Sequence, residues 1–344
     1  MAVALSVTAV NIFLTRMLPL TASVILILFV LGFLATIVPL WVLVPKNATA
    51  DVFTEFANFG GWSSNGAACI IGSITSTGSF FGVDGVAHMA EEIRDASWTM
   101  PRIMLLTIFL NGAMGLVAII TFVYCVTDIV DMVLENPSPF ISIQVYYLGL
   151  GSASGATALV CIGISMTYLS AISVQAAASR QAWSFARDGG LPFSSWFHKV
   201  HDIGVPVPIN SILASLFITA ILSLLNLGSS AAFNASVGLL SSAGAFSYMI
   251  SIGCVLLKRL RRQALPPTRF NMGRLTIPVN GVSVVFMATI VVVVMFPVTA
   301  QPIPQSMNYG SVMFGGVAVI AIVYYSFHGR KVYEGPVVRL TQDA

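Results

Sequence analysis

The chain has 344 residues, of which 57% are hydrophobic and only 8% charged, against about 45–50% and about 25% in an ordinary soluble domain. Such a surface lacks the polar groups to face water, which excludes a soluble globular domain, a disordered chain, a disulfide scaffold and a nucleic-acid binder. The net charge of +3 says little by its size and much by its distribution.

A bilayer core needs about 20 consecutive, mostly apolar residues per helix. In chain order such runs fall at 18–44, 67–92, 103–126, 152–178, 208–226, 233–257, 277–297 and 310–327. These eight predicted spans are bounded by Pro, Gly, Asn or charge clusters, and alternating strands of a transmembrane barrel are absent. The reading is an all-α polytopic membrane protein in a lipid bilayer. Residues Met1–Thr15 are apolar but too short to span, and they lack the basic start and cleavage site of a secretory signal. They read as the end of a helix that begins outside this chain. The four cysteines Cys69, Cys125, Cys161 and Cys254 fall inside apolar stretches without metal-ligand spacing, so neither metal nor cofactor is expected.

Short cytoplasmic loops hold the excess of Lys and Arg. Arg16 precedes the first span, Arg94 and Arg102 follow the second, and Arg180, Arg187 and Lys199 follow the fourth. Lys258, Arg259, Arg261, Arg262, Arg269 and Arg274 lie between the sixth and seventh, and Arg330, Lys331 and Arg339 follow the eighth. Every base except Lys46 therefore lies on one predicted side, the cytoplasm. The loops at 46–62 and 127–150 are expected outside, and those at 179–207 and 258–276 inside.

One span is unlike the rest. From Thr75 to His88 it reads T-S-T-G-S-F-F-G-V-D-G-V-A-H, with Gly78, Gly82 and Gly85 in mid-membrane. Glycine costs about 1 kcal/mol in a helix interior and permits unwinding. Asp84 is the only acid deep within a span, where it costs at least about 2.5–3.5 kcal/mol unless it faces a cavity or a partner. A helix broken near Phe81–Gly85 offers backbone carbonyls from one half and free N–H groups from the other, a device of secondary transporters. The competing readings are a small-residue packing face at Gly78-x-x-x-Gly82 and a helix cap at Asp84. His88, one turn after Asp84, is either a proton-relay partner or a plain interfacial histidine.

Three segments carry a family resemblance: G-V-D-G-V-A-H-M-A-E-E-I-R-D-A-S-W-T-M-P-R at 82–102, S-R-Q-A-W-S-F-A-R-D-G-G-L-P-F-S-S-W-F at 179–197, and V-P-V-P-I-N-S at 205–211. They resemble fungal amino acid/choline (GABA-type) permeases of the amino acid–polyamine–organocation superfamily. The resemblance implies a five-plus-five inverted-repeat fold lacking most of the first repeat: a remnant of helices four and five at 1–44, the second repeat at 67–257, two last helices at 277–327 and a cytoplasmic tail at 328–344. Gly85 stands where these permeases usually carry a small residue such as alanine, which predicts a looser break.

The implied function is secondary active transport of an amino acid, choline, γ-aminobutyrate or polyamine by alternating access, in the plasma membrane. The expected alternative is a truncated permease without transport of its own. Expected substrate contacts are Phe81, Gly82, Val83, Asp84 and Gly85 at the break, with Tyr168 and Ser241 from the hydroxyl-bearing fourth and sixth spans. Expected gating residues are Glu91 and Glu92 against Arg180 or Arg187. The lysine that some proton-coupled relatives place in the fifth helix is absent from 18–44, although H+ remains the expected coupling ion. An intramembrane aspartyl protease needs a second acid, and the G-x-S-G of a rhomboid-type serine protease does not occur, so no enzyme is expected.

Overall fold

Runs of Leu, Ile, Val and Phe with no polar face give helices that are apolar all round, which requires lipid or other protein on every side. The helix α2 (Leu18–Leu43) is such a case: the consecutive residues Leu26, Ile27, Leu28 and Phe29 are all exposed on the protein's own surface. The computed structural model describes residues 1–127, 140–202, 204, 206–228, 230–265, 268–304, 307–333 and 335, with backbone alone at 18–19, 21, 91–92, 225–228 and 230–233. Besides α2 the chain forms α1 (Ala2–Phe13), α3 (Thr49–Thr54), α4 (Asn65–Gly78), a 3-10 helix (Val83–Glu92), α5 (Ala96–Cys125), α6 (Ile141–Leu150) and α7 (Ala153–Arg187). Then follow α8 (Ser194–Phe197), α9 (Ile209–Gly228), α10 (Ser230–Leu260), α11 (Thr276–Val293) and α12 (Gly310–Tyr324). Extended pairing among the described residues is confined to His201–Asp202 against Pro206–Val207.

Among the described residues, 7 helical stretches are long and apolar enough to cross a membrane. The remaining predicted span, the fifth at 208–226, is α9, whose fully described part, 209–224, is too short to qualify by that measure. The protein is thus an all-α, multi-pass membrane protein. One predicted boundary moves: the connection expected from 179 begins as helix, because α7 runs on to Arg187. It stops where Gly189 turns left-handed at φ +78°. There the N–H groups of Gly189 and Gly190 donate to Ala186 O and Phe185 O, both at 2.9 Å. This is a glycine C-cap of the Schellman type.

The chain forms two compact units, one of Ala57–Met104 with Ala177–Ala344 and the other of Ala2–Phe56 with Leu105–Ala176. In the second, Leu40, Val44, Cys125 and Val145 make a fully buried core flanked by Phe122, Tyr146 and Leu150. The Trp41 indole donates to Thr121 Oγ1 at 2.8 Å. The buried Asn11 amide ties α1 to α7 through Ile172 O and Gln175 Oε1, each at 3.1 Å.

In the first unit α10 packs on α9, α11 and α12. Two glycines let α10 and α12 cross closely: a Cβ on Gly238 would sit 3.1 Å from Gly310 Cα. Asn308 locks the crossing by donating to Val294 O at 2.6 Å and accepting from Gly310 N at 2.9 Å. A small core of Ala245, Ile290 and Val294, with Ile74 and Phe81 packed on it, joins α4 and α11 to α10.

Candidate functional site

Everything expected of the second span turns on how its helix breaks. α4 begins at a serine cap, Ser64 accepting from Ala67 N at 3.2 Å, and ends at Gly78. After two turns, Gly82 adopts φ +95°, a left-handed conformation open to glycine at little cost. The chain resumes as a 3-10 helix of 10 residues, with a kink at Met89. Runs longer than 3–4 residues of this geometry are uncommon and often mark functional hinges. The glycine that breaks the span is therefore Gly82. Gly85 lies inside the 3-10 helix, where an added Cβ would meet Ala177 Cβ at 4.0 Å, an ordinary contact.

The break frees backbone groups. The turn bonds run from Phe81 N to Gly78 O at 3.2 Å and resume with Gly85 N to Gly82 O at 2.9 Å. Between them the N–H groups of Gly82, Val83 and Asp84 have no backbone acceptor among the described residues. Asp84 stands in the first turn of the new helix, yet its side chain makes no cap. Its Oδ2 instead accepts from His88 Nε2 at 3.1 Å, with the two side chains 30% and 29% exposed. On the other side Tyr248 of α10 brings its hydroxyl to the Asp84 carboxylate and to the backbone of Gly82 and Asp84. The Phe81 ring lies 6.1 Å from that of Tyr248. It reaches α10 because residue 244 is glycine, where a Cβ would come within 3.2 Å of the ring.

Above the Phe81–Tyr248 pair, towards the loop predicted to be outside, is a cavity of about 430 Å³. Thr75, Ser241, Asn234, Trp62, Phe296 and Asn308 help to line it, and among the described residues none of the lining is charged. Its outer wall is tied together by Ala300 N to Gly60 O at 2.8 Å and by the Trp62 indole donating to Val298 O at 3.1 Å.

Of the expected site residues, Phe81, Gly82, Val83, Asp84 and Gly85 come together at the break, and Ser241 lines the cavity beside it. Tyr168 falls in the other unit, half-buried on α7. The Glu91 and Glu92 side chains lie outside the described residues. Arg187 sits 3.8 Å from Asp188 and over the Trp183 ring at 4.8 Å, while Arg180 is half-buried.

Two features escaped the sequence reading. Tyr248 was visible only as one hydroxyl among several on its span. The exposed pair of Arg269 Nη1 with Asp95, at 3.0 and 3.1 Å to the two carboxylate oxygens, joins residues 174 apart. Its sole local signal is the positive φ of 50° at Asp95. Among the described residues no group of three or more His, Cys, Asp or Glu is placed to hold a metal ion.

Comparison with known proteins adds the family. The family whose model matches residues 1–319 is described as amino acid permease. The amino-acid permease BAT1 of Arabidopsis thaliana is 30% identical over 330 residues, covering 90% of this chain and 63% of that protein. The GABA-specific permease of Saccharomyces cerevisiae is 30% identical over 85% of this chain and 51% of its own length. The choline transporter of the same yeast is 30% identical over 84% and 50%. The chain thus spans between half and under two-thirds of the length of these relatives.

Proposed function

Because the chain belongs to the amino acid permease family, we propose that it carries a small nitrogenous solute across the membrane by secondary active transport. The solute class is an amino acid, choline, γ-aminobutyrate or a polyamine, moved by alternating access with H+ as coupling ion. The membrane is the plasma membrane. The observation that carries this reading is the Asp84 carboxylate. It sits in mid-span at an unwound segment, is not spent on a helix cap, and faces partners that a substrate can exchange with. An intramembrane acid is a functional-site candidate by default, and broken-helix termini are where transporters hold charged substrates.

In this reading the amine of the substrate approaches Asp84, while the N–H groups of Gly82–Asp84, which lack a backbone acceptor among the described residues, take an electronegative group. Phe81 and Val83 shape the pocket, with Ser241 and Tyr168 as further contacts. Glu91 and Glu92 pair with Arg180 or Arg187 when the inner side is closed. The second repeat, 67–257, carries the site, with 1–44 belonging to the first repeat and 277–327 flanking.

Uptake and competition assays on the full-length protein in proteoliposomes test the reading. Radiolabelled choline, γ-aminobutyrate, spermidine and neutral amino acids are the probes. Saturable uptake of one class, competed by its congeners, is the expected result. Failure of all four to bind or be taken up overturns it.

A further inference from the structure

Asp84, His88 and Tyr248 form a cluster with more chemistry than substrate attraction requires. An ionised carboxylate can only accept, so His88 Nε2 carries the hydrogen in the 3.1 Å contact. This leaves Nδ1 as the bare nitrogen of the neutral ring. Histidine is the side chain that ordinarily changes charge between pH 5 and 8. The elements that approach this segment contribute Tyr248 from α10 and Ala177 from α7, which a Cβ on Gly85 would meet at 4.0 Å. On the pair's own helix, Glu91 and Glu92 are the other titratable groups.

The pair therefore has two charge states. With neutral imidazole it carries one negative charge, and with imidazolium it carries none. A substrate cation offers Asp84 the same service as the imidazolium. We propose that the Asp84–His88 pair is the proton-binding site of the transporter, and that the proton and the cationic head of the substrate compete for it. This rests on the substrate reading above. A cation arriving at Asp84 sends the Nδ1 proton of His88 to water, and its departure lets the proton return. The site's charge is zero in both loaded states, so the exchange is one proton for one cation without leaving a bare charge in mid-membrane. That economy matters because an uncompensated carboxylate there is costly.

The test is choline binding to the full-length protein in nanodiscs between about pH 5.5 and pH 7.5. The uncharged isostere 3,3-dimethylbutanol is measured alongside. Choline affinity should weaken as pH falls, by no more than about tenfold per pH unit, the limit for one competing proton. The isostere, which Asp84 does not attract, should not weaken. His88→Gln should flatten the choline profile to within about twofold. His88→Arg should hold the pair permanently neutral and bind choline weakly at every pH.

A merely structural pair predicts the opposite for the arginine variant, because Arg restores the contact and with it the wild-type profile. The proposal is overturned if His88→Gln keeps the wild-type slope, if His88→Arg recovers it, or if the isostere weakens in step with choline. Whichever variant reaches the membrane carries the test. Should wild type bind none of the amine probes, the substrate reading fails instead. A wild type that binds choline with a flat profile refutes only the proton site.

Discussion

Substituting Asp84 by asparagine separates the proposed substrate-binding role of this residue from a structural one. The side chain keeps its size and an oxygen that can accept from His88, loses its charge and exchanges one carboxylate oxygen for an amide NH2. The stability at stake is small: a partly exposed i,i+4 pair is worth about 0.3–0.5 kcal/mol, and both side chains are about 30% exposed. No cap is lost, since the carboxylate makes none. For a bound cation the stake is larger. At an effective dielectric of ~20 and ~4 Å separation, a charge pair is worth about 4 kcal/mol before desolvation costs. A net loss of even about 1.4 kcal/mol raises the dissociation constant about tenfold. Asp84→Asn is therefore expected to reach the membrane normally and to bind choline or γ-aminobutyrate at least about tenfold more weakly. Scintillation-proximity binding on purified protein, normalised to a monodisperse size-exclusion peak, measures this. Unchanged affinity at normal expression would refute the reasoning and move the binding role to the backbone of Phe81–Val83.

The two glycines of the break should respond differently to alanine. Gly82→Ala meets a left-handed φ of +95° and should lose about 1–2 kcal/mol together with substrate binding. Gly85→Ala has room and should stay within about 0.5 kcal/mol of wild type; thermal-shift size exclusion compares them. At the α10–α12 crossing, Gly238→Val forces a side chain onto Gly310. It should cost more than about 2 kcal/mol, seen as a lowered midpoint in the same assay. Removing the Asp95–Arg269 pair with Asp95→Asn should change stability by less than about 1 kcal/mol, because both partners are at least half exposed. Cysteines placed at Phe56 and at Arg261, in a background without the native cysteines, should label from outside and from inside intact cells respectively; labelling of position 261 from outside contradicts the orientation.

The sequence by itself determined the class of this protein, because the facts that set it are local. A run of about 20 apolar residues has nowhere to go but a bilayer, so the spans were legible, although α5 begins at Ala96 rather than 103 and α7 runs on to Arg187 rather than 178. The side on which Arg and Lys collect is likewise a property of the linear chain. The break was legible too, since Gly78, Gly82, Asp84 and Gly85 within one span contradict a regular buried helix. Which glycine breaks it was not, because a left-handed φ at Gly82 rather than Gly85 depends on where Phe81 must land. That landing is fixed by Gly244 on α10, 162 positions from Gly82 in the chain. Whether Asp84 caps the helix was undecided for the same reason: cap and free carboxylate have one sequence pattern, and although His88 stands one turn away in the sequence, only the fold brings Tyr248 to it. The cavity beside Ser241, the Asn308 lock and the Asp95–Arg269 pair arise from the packing of α4, α10, α11 and α12 and their loops. Helix periodicity states which face of each is apolar, but where the faces are apolar all round it cannot state which residues meet. In a membrane helix that ambiguity is the rule, and tertiary packing of small residues resolves it.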